Sequence, residues 1–331
     1  MKYILYILKA YFFLAYKIYW LNKIYTNRLF KELNKIPTIE NSSLSKNLRK
    51  RIMFYTSQCY MSASWTCALR GEQLTQREKK NVIYLGAITP ILDDLTDTLK
   101  LTSTEISYLL KNKKGEERPE LKIARYLYEQ LLSMHNKSFN DVFQEALIAQ
   151  DASLQQLEER SLNENELKKI ALDKGGMFTL LYRTVLETPL KKGEKDALIT
   201  LGYVLQQIND MFDIYKDYIN KQQTLFTNSK NITINYFDYK SNLSKLIFQF
   251  EKLDFEKKNI EKCLVEISTI TSRGMVCLNQ LLTLQKNESE FDIKKYTRKQ
   301  LICDMEKVNN IKKSLFYSVS FYHQIKAANK K

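Results

Sequence analysis

Apolar residues in this chain fall into blocks that open at capping signals and close at proline or polar runs, the pattern of a succession of helices. A Ser, Thr or Asn followed three residues later by Glu can satisfy two otherwise unpaired N–H groups reciprocally at a helix start. Thr75 with Glu78 therefore predicts a helix through "NVIYLGAITPILDDLTD". Thr102 with Glu105 opens the next, and Asn163 with Glu166 opens one through "LKKIALDKGGMFTLLYRTVL" that runs until Pro189. After "PLKKGEK" a long apolar helix, "DALITLGYVLQQINDMFDIYKDYI", is expected to about Asn220. The segment "LFTNSKNITINYFDYKSN" has no helical period and reads as a loop, and two or three further helices fill residues 243–328. With only 8 Gly and 4 Pro, and few strand-like runs bounded by turn residues, the expected fold class is all-α.

The first 25 residues, "MKYILYILKAYFFLAYKIYWLNKIY", are the most hydrophobic and aromatic part of the chain. Lys9 and Lys17 interrupt the run, which falls short of the roughly 20 apolar residues a membrane span needs, and no small-residue cleavage site follows. Two readings stand: a first helix packed on the core, or an interfacial helix whose Tyr and Trp lie among lysines at a membrane surface. The location expected is cytoplasmic, with peripheral membrane contact through this helix as the second reading. The polar stretch "NKIPTIENSSLSKN" separates it from the rest, which divides the chain into residues 1–45, helix and linker, and residues 46–331, one helical domain.

A net charge of +15 suggests nucleic acid, an anionic membrane or a polyanionic small substrate. The Lys and Arg residues scatter instead of forming one basic, aromatic-interleaved patch, so a nucleic-acid partner is not expected. Five cysteines, Cys59, Cys67, Cys263, Cys277 and Cys303, are odd in number and lack CxxC spacing, which argues against a disulfide framework or zinc site. His135 and His323, the two histidines, are in no ligand pattern, so carboxylates must carry any catalysis.

Two acidic stretches qualify. In "ITPILDDLTDTLK", residues 88–100, Asp93 and Asp97 are four apart, about 6 Å on one helical face, with Asp94 beside them. Like charges at that spacing repel unless a cation neutralises them, so a divalent metal is the functional reading and a solvated helix end the plain one. Pro90 cannot donate to the carbonyl of Gly86 and should kink this helix just before Asp93. In "GYVLQQINDMFDIYKDY", residues 202–218, Asn209, Asp213 and Asp217 recur every four residues with Asp210 alongside. Val204, Leu205, Ile208, Met211 and Phe212 bury that helix, so its polar stripe must face a cavity or another polar surface. Oxygen ligands on two helices facing across a pocket would suit Mg²⁺.

At these residues the sequence resembles the class I isoprenoid synthase superfamily, which comprises trans-prenyl diphosphate synthases, squalene and phytoene synthases and class I terpene cyclases. "DDLTD" is similar to its first aspartate-rich motif, and "GYVLQQINDMFD" to the second, with Gly202, Gln206, Asp210 and Asp213 in register and Asn209 where Asp is usual. Read as NxxxDxxxD, the second stretch also resembles the NxxxSxxxE triad of cyclases and the QxxNxxxDxxxD of phytoene synthases. "LNENELKKIALDKGG" looks like the helix that gives prenyl synthases a diphosphate ligand, here Lys174. The resemblance covers residues 75–220.

The resemblance implies a helical bundle around a central cavity, Mg²⁺ as cofactor (three ions, with Mn²⁺ as a substitute), a prenyl diphosphate as substrate and, commonly, a homodimer. Asp93, Asp97, Asn209, Asp210, Asp213 and Asp217 become candidate ligands, with Asp94 among the catalytic candidates. Lys174 and Arg183, nine residues apart on one predicted helix, could share a face and neutralise the departing diphosphate. Phe178, Tyr182, Tyr203, Gln206 and Phe212 are candidates for the cavity wall, where aromatic faces would steer a carbocation, although buried aromatics are more often plain core. The stretch after the first motif, "TLKLTSTE", lacks the Arg pair of chain-elongating enzymes, and no Gly-Lys-Arg segment is found, which favours a single-diphosphate terpene synthase. The C-terminal "FYSVSFYHQIKAANKK" lacks the Arg-Tyr pair common in bacterial cyclases, so a prenyltransferase remains the enzymatic alternative and an isoprenoid-binding partner subunit the noncatalytic one.

Overall fold

Each expected capping box forms. Thr75 and Glu78 exchange backbone-to-side-chain bonds at 3.1 and 2.9 Å, Thr102 and Glu105 at 3.3 and 2.8 Å, and Asn163 and Glu166 at 3.0 and 2.8 Å. In the computed structural model, residues 2–16, 19, 22–36, 44–112, 118–133, 138–286 and 288–328 are described. The polar separator expected before residue 46 lies partly outside them, as does His135. Fourteen α-helices and no strand occur among the described residues, so the fold is all-α.

Backbone contacts divide the chain into two units. One comprises Phe12–Ala152 and Phe178–Pro189. Its helices are α2 (Asn22–Leu33), α3 (Lys46–Arg70), α4 (Gln76–Asp93), α5 (Ser103–Lys111), α6 (Pro119–Leu132) and α7 (Phe139–Ala152). α4 packs against both α3 and α6, and α2 packs on α3 and α4. Ile52, Cys59, Ala63, Val82, Leu85 and Ile88 are buried there. Gly86 lets α3 and α4 approach: a Cβ at this position would lie 2.5 Å from the Thr56 Cα. Glu32 on α2 ties the helices together by accepting the hydroxyls of Tyr84 at 2.5 Å and Tyr126 at 2.6 Å.

The other unit comprises Met1–Tyr11, Ser153–Met177 and Leu190–Lys331. It holds α9 (Glu194–Phe212), α10 (Ile214–Ile219), α11 (Ile232–Glu251), α12 (Lys257–Gln285), α13 (Arg298–Leu301) and α14 (Val308–Ala328). α8 (Glu164–Thr184) passes from this unit to the other along the chain, and α1 (Lys2–Tyr16) begins here. α9 packs against α11 and α12, and α12 lies along α14. On α8 and α9, Gly175 and Gly202 meet without side chains between them: a Cβ at Gly202 would stand 2.1 Å from the Gly175 carbonyl oxygen.

The expectation of a loop over "LFTNSKNITINYFDYKSN" is corrected in its second half. The Asn231 side chain accepts the Thr233 N–H at 2.9 Å and starts α11 at Ile232. Ile232, Tyr239, Leu243, Leu246, Ile247 and Phe250 then bury one face. The helical period is hidden in the sequence because the first two buried positions, 232 and 239, are two full turns apart and exposed Ile234 and Phe237 lie between them.

Candidate functional site

In the unit that holds α3 and α4, the sequence places Arg51 and Tyr55 one turn apart on α3, on the side that meets the end of α4. Tyr55 donates its hydroxyl to Asp93 Oδ2 at 2.5 Å, and Arg51 Nη1 donates to Asp94 Oδ1 at 2.5 Å. Arg51 Nη2 donates to the Pro90 carbonyl at 3.0 Å and lies 3.9 Å from Asp93 Oδ2. Burial and the charge of Asp93 push the Tyr55 phenol well up, so it remains a proton donor.

The α-helix ends at Asp93, and Asp94–Thr98 form a π-helical turn, closed by the Leu99 N–H on the Asp94 carbonyl at 3.1 Å. Pro90, inside α4, supplies no N–H to the ladder one turn earlier. Asp93 meets Tyr55 and Arg51, Asp94 meets Arg51, and Asp97 turns to a different helix. Asp97 accepts the Gln150 side chain of α7 at 3.2 Å. Such π turns often mark functional positions inside helices. Tyr182 is buried in the same unit, within electrostatic range of Cys59 and Asp93.

Arg183 is 2% exposed and donates to the carbonyls of Thr188 and Pro189 at 2.9 and 3.1 Å. These bonds hold the turn after α8. Phe178 is half-buried on the same helix.

In the other unit the second acidic stretch forms α9 and α10. The expected single helix bends at Asp213, whose φ of −90° and ψ of 3° interrupt regular geometry, yet the backbone bonds continue through it. Asp213 N–H bonds the Asn209 carbonyl at 2.9 Å, and Asp217 N–H bonds the Asp213 carbonyl at 2.8 Å. The four-residue spacing of Asn209, Asp213 and Asp217 is thereby preserved. Exposure falls along the stripe: Asn209 is exposed, Asp213 half-buried and Asp217 buried.

Asp210 is buried beside them and accepts Gln206 Nε2 at 2.7 Å. Burial pushes its carboxyl up to about 7, against the pull of Gln206 and Lys174 and with a further push from Asp213. Burial, then Asp210 and Asp213, push Asp217 up to about 7 as well. Lys174 Nζ reaches Ser153 Oγ at 3.4 Å and lies within electrostatic range of both aspartates. Its place follows from the contact between Gly175 and Gly202, which brings that stretch of α8 against α9. Asp213 is paired with Lys216 at 3.4 Å. Tyr203 is buried, close to Asp238 and Asp210, and Phe212 is half-buried.

Among the described residues no three His, Cys, Asp or Glu side chains converge closely enough to hold a metal ion as they stand. The donor chemistry of α9 and α10 nevertheless fits Mg²⁺: all oxygen, no imidazole or thiolate, and carboxylates whose mutual repulsion a divalent cation would relieve. In the first cluster, Arg51 and Tyr55 already serve Asp93 and Asp94. Sequence reasoning missed these two; the signal was an Arg and a Tyr one turn apart on a largely buried helix, where each needs a partner.

Comparison of the chain with protein-family models, with curated proteins and with solved structures finds no match.

Proposed function

We propose that the protein is a class I isoprenoid synthase, built on that superfamily's helical bundle, that converts one linear prenyl diphosphate to a terpene hydrocarbon or alcohol. The observation that carries the reading is the buried pair Asp210 and Asp217 with Lys174 beside them, a charge arrangement that structural packing alone does not call for. In its own unit the DDLTD stretch is drawn onto Arg51, Tyr55 and Gln150.

In this reading Asn209, Asp213 and Asp217 of the second motif would hold Mg²⁺ at the diphosphate, and Asp93 and Asp97 of the first motif are a further set of candidate ligands in their own unit. Bound there, Mg²⁺ supplies charge stabilisation of the leaving group. Lys174 donates to the diphosphate oxygens, and Tyr55 is one of the contacts that hold Asp93. Asp210, held by Gln206, lies within electrostatic range of Lys174. The allylic C–O bond breaks with both electrons leaving on the diphosphate. The cation then loses a proton to the released diphosphate to give a hydrocarbon, or takes up one water, whose proton passes to the diphosphate, to give an alcohol. Tyr203 and Phe212, on the helix that carries the second motif, would supply apolar surface that limits access of bulk water. Arg183 acts at one remove, by fixing the turn after α8.

One observation favours a prenyltransferase as the second reading. A second diphosphate needs cationic groups near the first motif, and Arg51 on α3 brings one that the sequence after DDLTD lacks. Diphosphate release from geranyl, farnesyl or geranylgeranyl diphosphate, each given alone with Mg²⁺ and then with EDTA, distinguishes the two. Metal-dependent release with a new hydrocarbon or alcohol supports the synthase. Turnover only after isopentenyl diphosphate is added moves the reaction to chain elongation, and no turnover in any arm removes the catalytic reading.

A further inference from the structure

The two sides of the first helix differ in kind. Ile7 is fully buried, and the Tyr6 ring meets Tyr322 edge to face with centroids 6.2 Å apart. The Tyr11 hydroxyl lies within 3.0 Å of Ser272 on α12 and within 2.8 and 3.0 Å of Ser314 and Ser318 on α14. One side of α1 is thus tied to the protein by a buried hydroxyl cluster. The side turned away carries Leu5, Leu8, Phe12 and Tyr16, with Ile4 at the edge nearest Tyr11, all exposed, and Phe12 most of all at 77%. These positions form one stripe on a 3.6-residue helix, and a contiguous aromatic and aliphatic stripe in water marks an interaction surface.

Charge selects the occupant. The first 31 residues contain six basic residues, Lys2, Lys9, Lys17, Lys23, Arg28 and Lys31, and no acidic one, in a chain of net charge +15. A second copy of the chain would bring the same charge to the same stripe and be repelled. An anionic bilayer is complementary to it, and bulky apolar side chains bordered by lysine suit the boundary between headgroups and acyl chains. At 15 residues α1 is about 22 Å long, too short to span a bilayer, and none of the described helices is long and apolar enough to cross one. We infer that α1 docks the protein on an anionic membrane surface, lying flat with Ile4, Leu5, Leu8, Phe12 and Tyr16 in the bilayer interface while Tyr11 holds its other side to α12 and α14. This surface is independent of the proposed reaction.

The test is sedimentation of the full chain with sucrose-loaded vesicles, either phosphatidylcholine alone or an equal mixture with phosphatidylglycerol. The wild type is expected to pellet with the mixed vesicles, several-fold less with phosphatidylcholine, and several-fold less in about 1 M NaCl, where the Debye length is about 3 Å. The double variant L8Q/F12Q changes exposed positions only, so helicity and melting temperature stay those of the wild type while pelleting drops at least tenfold. K9E/K23E should lower pelleting with mixed vesicles and leave the phosphatidylcholine background unchanged. Wild type that stays in solution with mixed vesicles overturns the inference, as does folded L8Q/F12Q that pellets like wild type. A wild-type dimer seen by light scattering, dissociated by L8Q/F12Q without any vesicle binding, would assign the stripe to a second copy instead.

Discussion

Gly175 on α8 and Gly202 on α9 touch backbone to backbone, each standing where a Cβ on the other would fall 2.1 to 2.2 Å from a carbonyl oxygen. Because backbone, not a flexible side-chain tip, fills that space, relief requires the helices to separate. Gly202→Ala or Gly175→Ala should therefore destabilise the protein by about 1–3 kcal/mol, the usual range for overpacking, read as a lower denaturant midpoint with unchanged m-value. Lys174 would move away from Asp210 and Asp217 with α8, so any diphosphate-releasing activity should fall by more than the loss of folded protein explains. Gly176→Ala meets the Ile199 side chain at 3.0 Å and should cost less, because a side chain can shift.

The acid pair gives the metal-free protein a distinct pH profile. Asp210 and Asp217 are raised from 3.8 to about 7 in the folded state. A carboxyl with a raised folded pKa binds its proton more tightly when folded, so its stabilising contribution is complete below pH 3.8 and is lost as pH rises through about 7. At pH 8 each ionised carboxylate costs up to a few kcal/mol relative to its neutral form, because every tenfold change in proton affinity is worth about 1.4 kcal/mol. Asp210→Asn should accordingly match wild type near pH 4 and be more stable at pH 8, with urea melts across that range as the measurement. Equal stability of variant and wild type at pH 8 would mean that burial does not penalise the charge.

Adding Mg²⁺ should reverse that penalty. A cation that binds the folded state alone raises its stability in proportion to the logarithm of concentration over Kd. Wild type at pH 8 is expected to melt several degrees higher with millimolar Mg²⁺ than with EDTA, with the difference shrinking at pH 5 as the carboxyls protonate. Asp217→Asn should lose most of this gain in melting temperature, and Ca²⁺ or Na⁺ at equal ionic strength should give less of it. A Mg²⁺ effect that survives Asp217→Asn would place the metal elsewhere.

The all-α class and the helix starts were readable because capping boxes are local: Thr75, Thr102 and Asn163 each find their Glu one turn ahead. The four-residue stripe at Asn209, Asp213 and Asp217 was readable for the same reason, and it survives the bend at Asp213 because the backbone bonds persist. What the sequence hides is set by contacts far apart in the chain. Arg51 and Tyr55 are about forty residues from the aspartates they hold, and no local pattern links them. A π turn forms at Asp94–Thr98, although the sequence shows only the proline before it. Arg183 looked like a ligand from spacing, whereas its guanidinium is bonded to the two carbonyls that follow its own helix.

Tyr55 offers a test that separates positioning from direct action. Its hydroxyl donates to Asp93 Oδ2 at 2.5 Å, while Arg51 approaches the same oxygen at 3.9 Å and binds Asp94 more closely. Tyr55→Phe keeps the ring in place and removes one donor, so the fold should be retained with a loss of about 1 kcal/mol at most. Asp93 then loses one of the contacts that hold it, and a group that orients a metal ligand typically contributes 10- to 100-fold to affinity. If Asp93 binds Mg²⁺, the variant should need about ten times more Mg²⁺ for half-maximal diphosphate release, with a smaller change in the rate at saturating metal. Arg51→Gln should act differently: it frees Asp94 and removes a positive charge, so Mg²⁺ should bind at least as tightly while the KM for the diphosphate substrate rises. Unchanged Mg²⁺ dependence in Tyr55→Phe, in a protein that remains active, would remove Asp93 from the metal-binding set and leave its contact with Tyr55 as a packing feature of α3 and α4.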